Sequence, residues 1–274
     1  MDIKATIIGS DWFCGDKLFF SKPVKIFVVR FSRCLNELNT GHFNVLMSFT
    51  EPPGILESPE TIIRHSSKFG LILSHDPAVL RSCPNARKML FGSSWISDND
   101  ALSIDVAKKE FKISFLCGSK DTLEGHRTRQ EVWFHQSRIR TPKVFWISSV
   151  APIPSVDNNP MYPKDTSKIL LFRDAQFHIA VENSIVPDYF TEKICDCFRT
   201  KTVPIYCGCP NIGEYFDIEG IITFRSEKDL IEICNNLTPE DYYKRMDALN
   251  RNFDQVQQYL GCIEKMVSVI KSVI

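Results

Sequence analysis

Between positions 181 and 193 the chain reads VENSIVPDYFTEK, and ICDCFRTKTVPIYCGCP follows at once. Glu182, Asn183, Asp188, Tyr189, Glu192 and Lys193 place carboxylate, amide, phenol and ammonium groups in one short stretch beside an apolar run. Together such groups can take a proton, hydrogen-bond hydroxyls and neutralise an anion, which is the equipment of a polar-ligand site. The plainer alternative is a polar loop leading into a capped helix. The apolar run at 177–181 reads as the end of a strand, 189–199 has helical spacing, and 202–207 is a short β-branched strand. In an open α/β sheet, a strand, polar loop, helix and strand in this order put the loop beyond the strand ends, where ligands bind.

The elements that would position this loop can be read on both sides of it. In the first half, 24–31, 43–49 and 71–73 read as strands separated by Gly, Pro and Asn-rich turns, with turns or short helices at 55–65 and 76–81. The polar stretch GSSWISDNDALSID at 92–105 marks a boundary, placed between 104 and 105. The second half restarts with a strand at 112–117, and a helix begins after Gly125. Arg127 then falls near the start of that helix, where open backbone amides and a cation can jointly hold phosphate. A further strand at 143–147 leads into the Pro-rich VAPIPSVDNNPMYP, read as a surface loop, and 168–173 forms a short element. Ser226 with Asp229, and Thr238 with Pro239 and Asp241, are helix-start signals. They open a helix to about 237 and a long final helix over 240–270 that breaks at Gly261.

The 274 residues suffice for two ordinary domains, and 33 basic against 33 acidic residues give no global pull toward nucleic acid or an anionic membrane. Ten cysteines without an apolar leader argue against a disulfide-stapled secreted scaffold. No run approaches the length of a membrane span, and the opening MDIKATIIGSDWFC does not read as a signal peptide, so a cytoplasmic protein without a transmembrane anchor is expected. The pairs Cys195 with Cys197 and Cys207 with Cys209 have one intervening residue, unlike the usual zinc spacing, and read as buried thiols. Asp98, Asn99 and Asp100 look superficially like an Asp-X-Asp metal element, but they sit in the expected linker.

The residues quoted first also carry a resemblance. Val181, Glu182, Asn183 and Ser184, then Asp188 and Tyr189, then Thr191, Glu192 and Lys193, then Val203 and Pro204, resemble the signature of the α-1,3/1,4-fucosyltransferases of glycosyltransferase family 10. Partial echoes occur in the same order upstream, in FTEPP at 49–53, LSHDPAVL at 73–80, CPNARKMLFGSSWI at 83–96 and FKISFLCGSK at 111–120. The resemblance spans about 46–216, with Val181 standing where the family has an aromatic.

That resemblance implies an α/β fold of GT-B type, with two Rossmann-like domains facing across a cleft: residues 1–104 on the acceptor side, and 105–274, terminal helices included, on the nucleotide-sugar side. It implies an inverting transfer of L-fucose from GDP-fucose to a hydroxyl of an oligosaccharide or glycoprotein acceptor, with no tightly bound cofactor and no metal. Glu51 matches the catalytic base, with His42, His65 and His75 as rivals and a simple turn cap as the plainer reading. Arg127 and Lys193 match the cations that stabilise the diphosphate leaving group. Glu182, Asn183, Tyr189 and Glu192 match the lining of the nucleotide-sugar pocket. The departures leave open a UDP-sugar donor such as UDP-xylose, or an inactive carbohydrate-binding module in which Trp12, Trp95, Trp133 and Trp146 form a binding surface.

Overall fold

The computed structural model describes residues 2–9, 18–28, 30–38, 41–52, 55–164 and 166–274; Trp12 lies outside them. The strands are β1 Ile3–Lys4, β2 Thr6–Ile8, β3 Phe19–Phe20, β4 Val24–Phe27, β5 Phe43–Ser48, β6 Leu71–Ser74, β7 Ala86–Lys88, β8 Glu110–Cys117, β9 Lys143–Ile147, β10 Ala175–Val181, β11 Val203–Cys207 and β12 Ile222–Thr223. The α-helices are α1 Pro59–Arg64, α2 Pro77–Ser82, α3 Asp98–Leu102, α4 Glu124–Phe134, α5 Glu192–Arg199, α6 Glu227–Asn236, α7 Pro239–Tyr243, α8 Met246–Val256 and α9 Cys262–Val273. None of the helices among the described residues is long and apolar enough to cross a membrane. The chain divides into unit 1, residues 1–91, 187–189 and 261–274, and unit 2, residues 92–186 and 190–260.

Unit 1 is built on a parallel sheet whose order, β2-β4-β5-β6-β7, follows the chain. Right-handed crossovers in one direction lay the connections from β4 to β7 on the same face. That face is filled by Phe31, Ile62, Val79 and Cys83 from the connections, packed on Phe27, Leu46 and Ile72 of the strands. The strands alternate, so Val24, Ile26, Val45, Met47, Leu71 and Leu73 point the other way. A parallel sheet needs both faces covered, and the second cover comes from α9, through Met266 and Ile270, joined by Leu18 and Phe20. The helix starts follow from local chemistry. Ser58 accepts the Thr61 amide ahead of Pro59, and Asp76 accepts the amides of Ala78 and Val79 around Pro77. The strand expected over 24–31 ends at Phe27 because the chain turns into a 3-10 segment, Phe31–Glu37, whose Phe31 ring packs edge-on against Phe69.

Unit 2 carries the second parallel sheet, in the order β12-β11-β10-β8-β9. All seven residues of the central β10 are buried, as its unbroken AQFHIAV sequence requires of a strand covered on both faces. Lys109 ties the starts of three neighbouring strands together. Its ammonium is buried and donates to the carbonyls of Phe172 and Ala175 (3.0 Å) and to the Thr202 hydroxyl (2.8 Å). Burial lowers its pKa to about 7. Nearby, the buried His178 ring shares a 2.8 Å hydrogen bond with Ser114 and packs on Phe172.

The compact units differ from the expected division in two respects. The boundary falls at 91/92 instead of 104/105, because the Gly92–Asp105 stretch is bound to α5: Asp196 accepts from the Ser94 hydroxyl (2.6 Å) and the Trp95 amide (3.0 Å), while Arg199 grips the Ile96 carbonyl and Asp98. The terminal helices also do not all belong to the second unit, since α9 completes the sheet of unit 1. The helix expected over 240–270 with a break at Gly261 has a second break and forms three helices. The break at Gly261 occurs where expected, in a left-handed conformation (φ 70°) that glycine adopts at little cost; another separates α7 from α8 at Lys244–Arg245.

Two measurements test this packing. Met266→Ala should cost roughly 2–5 kcal/mol of stability in denaturant unfolding, against less than about 0.5 kcal/mol for Ser268→Ala on the exposed side of the same helix. For His178, burial and then Lys109 lower the pKa from 6.5 to about 3. The unfolded chain therefore takes a proton that the folded chain refuses, and this contribution to stability is lost as pH falls from about 6.5 toward 3. Relative to His178→Gln, the wild type should lose up to about 1.4 kcal/mol per pH unit in that window; parallel stability curves would refute the assignment.

Candidate functional site

In unit 2 the chain steps outward from β8 to β9 and then crosses back to β10 on the other side of β8. The carboxyl ends of β8 and β10 flank this reversal, the position where open α/β sheets bind ligands. Glu182 is the first residue beyond β10, α4 follows β8, and α5 follows the signature loop.

Glu182 is wholly buried, and both carboxylate oxygens are engaged by one residue. Oε1 accepts the Thr191 amide at 2.9 Å and Oε2 the Thr191 hydroxyl at 2.7 Å. Thr191 is the N-cap of α5, so the carboxylate fixes the place where that helix begins. Two glycines admit this packing. A Cβ on Gly125 would lie 1.7 Å from the Glu182 carbonyl oxygen, and one on Gly208 would lie 2.5 Å from Glu182 Cγ and 2.4 Å from the Tyr206 hydroxyl. Burial holds the Glu182 pKa above the usual carboxylate range against the opposing pull of Lys193 and the Thr191 hydrogen bonds. Glu182 is thus an anchor. Its carboxylate carries no exposed surface.

The partly open groups are its neighbours. Lys193 Nζ lies 2.8 Å from Glu192, 3.2 Å from the Thr191 hydroxyl and 3.8 Å from Glu182, with 23% of its side chain exposed. Burial opposes the charge on both Lys193 and Glu192, yet their mutual attraction prevails: the Lys193 pKa is raised and the Glu192 pKa lowered, so both stay ionised. Arg129 reaches from α4 to the Val181 carbonyl and, at 2.9 Å, to Asn183 Oδ1. Arg127, which the resemblance matches to a diphosphate-binding cation, stands two residues earlier on α4. Arg127 is exposed and donates to the Asp121 carbonyl (3.3 Å), because two residues turn a helix by about 200°. Arg129 was legible in principle: it stands four residues after Gly125, on the face that meets the Glu182 backbone.

Unit 1 holds the other expected residues. Glu51, half-buried, lines a small hollow beyond β5 and β6 with Ser48, Glu57, His75 and Asp76. Glu57 accepts from Ser32 (2.9 Å from its amide) and Asp76 caps α2. His75 is buried, and desolvation lowers its pKa to about 4 despite Asp76, Asp188 and the Phe49 backbone, leaving a weakly basic ring at neutral pH. His65 bonds to the Thr61 carbonyl at 2.9 Å, and His42 is half-buried. Tyr189 belongs to this unit and lies outside the expected helix: Asp188 takes a left-handed conformation (φ 62°), pairs with Lys88 at 3.0 Å, and leaves the Tyr189 ring buried 5.4 Å from that of His75.

A pocket of about 580 Å³ opens beside Gly208, at the ends of β11 and β12, lined in part by Tyr206, Asn211, Glu214, Thr223 and Arg225. Asp98 pairs with Arg199 and Asp100 accepts from Ser167, so both carboxylates have local partners. Cys195, Cys197, Cys207 and Cys209 are buried free thiols, and among the described residues no cluster of three or more His, Cys, Asp or Glu is placed to hold a metal. Trp133 fills core, whereas Trp95 is exposed.

Two separate parallel sheets flanked by helices form an α/β architecture consistent with a two-domain GT-B fold. Residues 155–268 match the family model described as glycosyltransferase family 10 (fucosyltransferase) C-term. It is 26% identical over 108 residues to GDP-fucose protein O-fucosyltransferase 3 of Xenopus laevis, a match covering 39% of this chain and 21% of that protein; the Bos taurus protein of the same name gives 25% over 109 residues. The chain thus spans about one fifth of the length of the curated relatives it matches. A crystal structure of an alpha1,3-fucosyltransferase with GDP-fucose aligns over 90% of this chain and 78% of its own, at 15% identity and a TM-score of 0.51. A glycosyltransferase from Rickettsia africae aligns over 91% and 76%, at 11% identity and a TM-score of 0.62.

The glycine contact gives a test of the site's construction. Gly125→Ala drives a methyl into the Glu182 carbonyl, and should lower the melting temperature by several degrees, as a roughly 1–3 kcal/mol overpacking cost implies. Thr128→Ala, on the same helix, should leave it nearly unchanged.

Proposed function

We propose that unit 2 binds a nucleoside-diphosphate sugar at the ends of β8 and β10, and that the protein transfers the sugar, L-fucose from GDP-fucose, to an acceptor hydroxyl with inversion and without a metal. The observation that carries this reading is that the matched segment, 155–268, contains Glu182, Asn183, Glu192 and Lys193 at the switch point, with Arg129 reaching them from α4. The cations Arg129 and Lys193 are held by a buried framework and retain side-chain surface. In a displacement with inversion, negative charge grows on the diphosphate as the bond to the sugar breaks, and fixed cations beside it lower the barrier because they need no reorganisation. Arg129 offers a planar fork to phosphate oxygens and Lys193 a point charge. Glu192, kept ionised, is suited to accept hydrogen bonds from sugar hydroxyls. Glu51 is the proposed acceptor-side base, a carboxylate just past a strand end beside a histidine held neutral.

We extend the reading to an oligosaccharide or glycoprotein acceptor, the protein arm of which is supported by the name of the curated relatives, protein O-fucosyltransferase. Thermal shift with GDP and UDP, with and without a divalent cation, tests the donor, because a ligand that binds the folded state raises its melting temperature. GDP should stabilise the protein without metal, and Arg129→Ala should weaken GDP binding about 10- to 150-fold, the range for a lost hydrogen bond to a charged group. Glu51→Gln should retain GDP binding and abolish transfer from GDP-fucose. A shift produced by UDP alone would overturn the donor assignment, and unimpaired transfer by Glu51→Gln would overturn the base.

A further inference from the structure

His75 brings two polar atoms into the interior of unit 1 that the fold does not use. The ring is 2% exposed, and among the described residues no group meets either nitrogen in hydrogen-bond geometry. The Phe49 backbone favours a charged ring but does not complete a hydrogen bond to it. The residues on either side are pinned. The Asp76 amide donates to the Ser74 hydroxyl at 3.1 Å, that hydroxyl donates to the Ser48 carbonyl at 3.3 Å, and the Asp76 side chain caps α2. Buried polar atoms of folded proteins are nearly always paired, with protein or with ordered water. The two nitrogens of a ring held in this way call for a partner from outside the chain.

The place for that partner is the hollow beyond β5 and β6, which His75 lines with Ser48, Glu51, Glu57 and Asp76. Its volume of about 10 Å³ is at the lower limit for one water molecule, roughly 10–15 Å³, and far too small for a sugar. A buried water also needs two to four polar partners. Asp76 Oδ1 already accepts the amides of Ala78 (2.8 Å) and Val79 (3.0 Å), and Glu57 Oε1 accepts the amide and hydroxyl of Ser32. A neutral imidazole offers one N–H and one lone pair, and water both donates and accepts, so one water can join the ring to a carboxylate whichever nitrogen carries the proton. The charged groups around the ring are Asp76 on its own loop, Asp188 beside Tyr189, Lys88 on β7, and Glu51 and Glu57 across the hollow. Burial outweighs the pull of the acids, so at neutral pH the ring is an uncharged partner that does not compete for a proton.

We propose that the hollow is a hydration site for one water, and that through this water His75 is a positioning residue that orients the Glu51 carboxylate. The consequence for transfer rests on the reading of Glu51 as the acceptor-side base; the hydration site itself does not. A water that donates to a carboxylate favours its ionised form, so the link keeps Glu51 ready to take a proton. Two substitutions separate positioning from packing. His75→Phe keeps an aromatic ring beside Tyr189 but has no nitrogen, whereas His75→Asn restores one N–H donor and one acceptor oxygen.

A high-resolution crystal structure of the wild type should show one ordered water within about 3.2 Å of a His75 ring nitrogen and of a Glu51 carboxylate oxygen; this result depends on neither variant. In 13C NMR of glutamate-labelled protein, His75→Phe should move the titration of the Glu51 carboxyl upward by about 0.4–1 pH unit, the equivalent of one net hydrogen bond. The acid limb of the pH–rate profile for transfer from GDP-fucose should move with it, and His75→Asn should return both toward the wild type. Melting temperature serves as the fold control and as a further readout. A dry hollow makes His75→Phe stabilising, because two unpaired buried nitrogens give way to carbon, whereas a hydrated one gives no gain. An empty hollow, a water that misses Glu51, or an unmoved Glu51 titration in folded His75→Phe would overturn the proposal. Absence of transfer by the wild type, with the water and the Glu51 shift as expected, would overturn the base reading and leave the hydration site standing.

Discussion

The grip of Glu182 on Thr191 is the constraint from which the rest of unit 2's site follows. A single buried carboxylate uses both oxygens to hold the amide and hydroxyl of one residue, and that residue begins α5. The start of α5 sets where Glu192 and Lys193 project. The same backbone is approached so closely by α4 that only glycine fits at 125, which in turn fixes the helix carrying His126 and Arg129. An ionisable group without exposure is costly unless its hydrogen bonds are satisfied, so the arrangement tolerates little change at Glu182, Thr191, Gly125 or Gly208. The cations that retain exposure hang on this frame and do not build it.

A parallel arrangement of constraints governs unit 1, though its source is topological. A sheet whose strands run in chain order receives its helical crossovers on one face, and without α9 the other would be covered only in part, by residues such as Leu18 and Phe20. The two units therefore solve the same covering problem differently. In unit 2 the reversal between β9 and β10 distributes connections to both faces, and it is this reversal that opens a site at the strand ends.

Local signals in the chain were largely legible. Strands such as β5, β9 and β11 and the helix starts at Ser226 and Thr238 stand where composition and capping chemistry place them. Contacts distant in sequence were not. Nothing near Gly92 announces that Asp196, about a hundred residues on, will accept its neighbours' donors, and so the boundary shifted. Lys109 reads as an ordinary surface lysine because its three acceptors come from two other strands and their flanks. At the site, Glu182, Asn183, Glu192 and Lys193 were recognised as a group, and the structure brings them together. The distinction between a buried anchor and an accessible contact was not readable from residue type, and neither was the separation of Tyr189 from them. Arg127 and Arg129 differ only in helical phase, which is decided by where α4 meets the Glu182 backbone.

The assignment of residues 261–274 to unit 1 has a consequence during synthesis. Every residue of unit 2 emerges from the ribosome before α9 does. Until then the face of Val24, Ile26, Val45, Met47, Leu71 and Leu73 has no Met266 or Ile270 to cover it. Unit 1 thus closes only after unit 2 is made, and its incompletely covered apolar face is a surface that a chaperone, or a neighbouring nascent chain, can meet in the meantime.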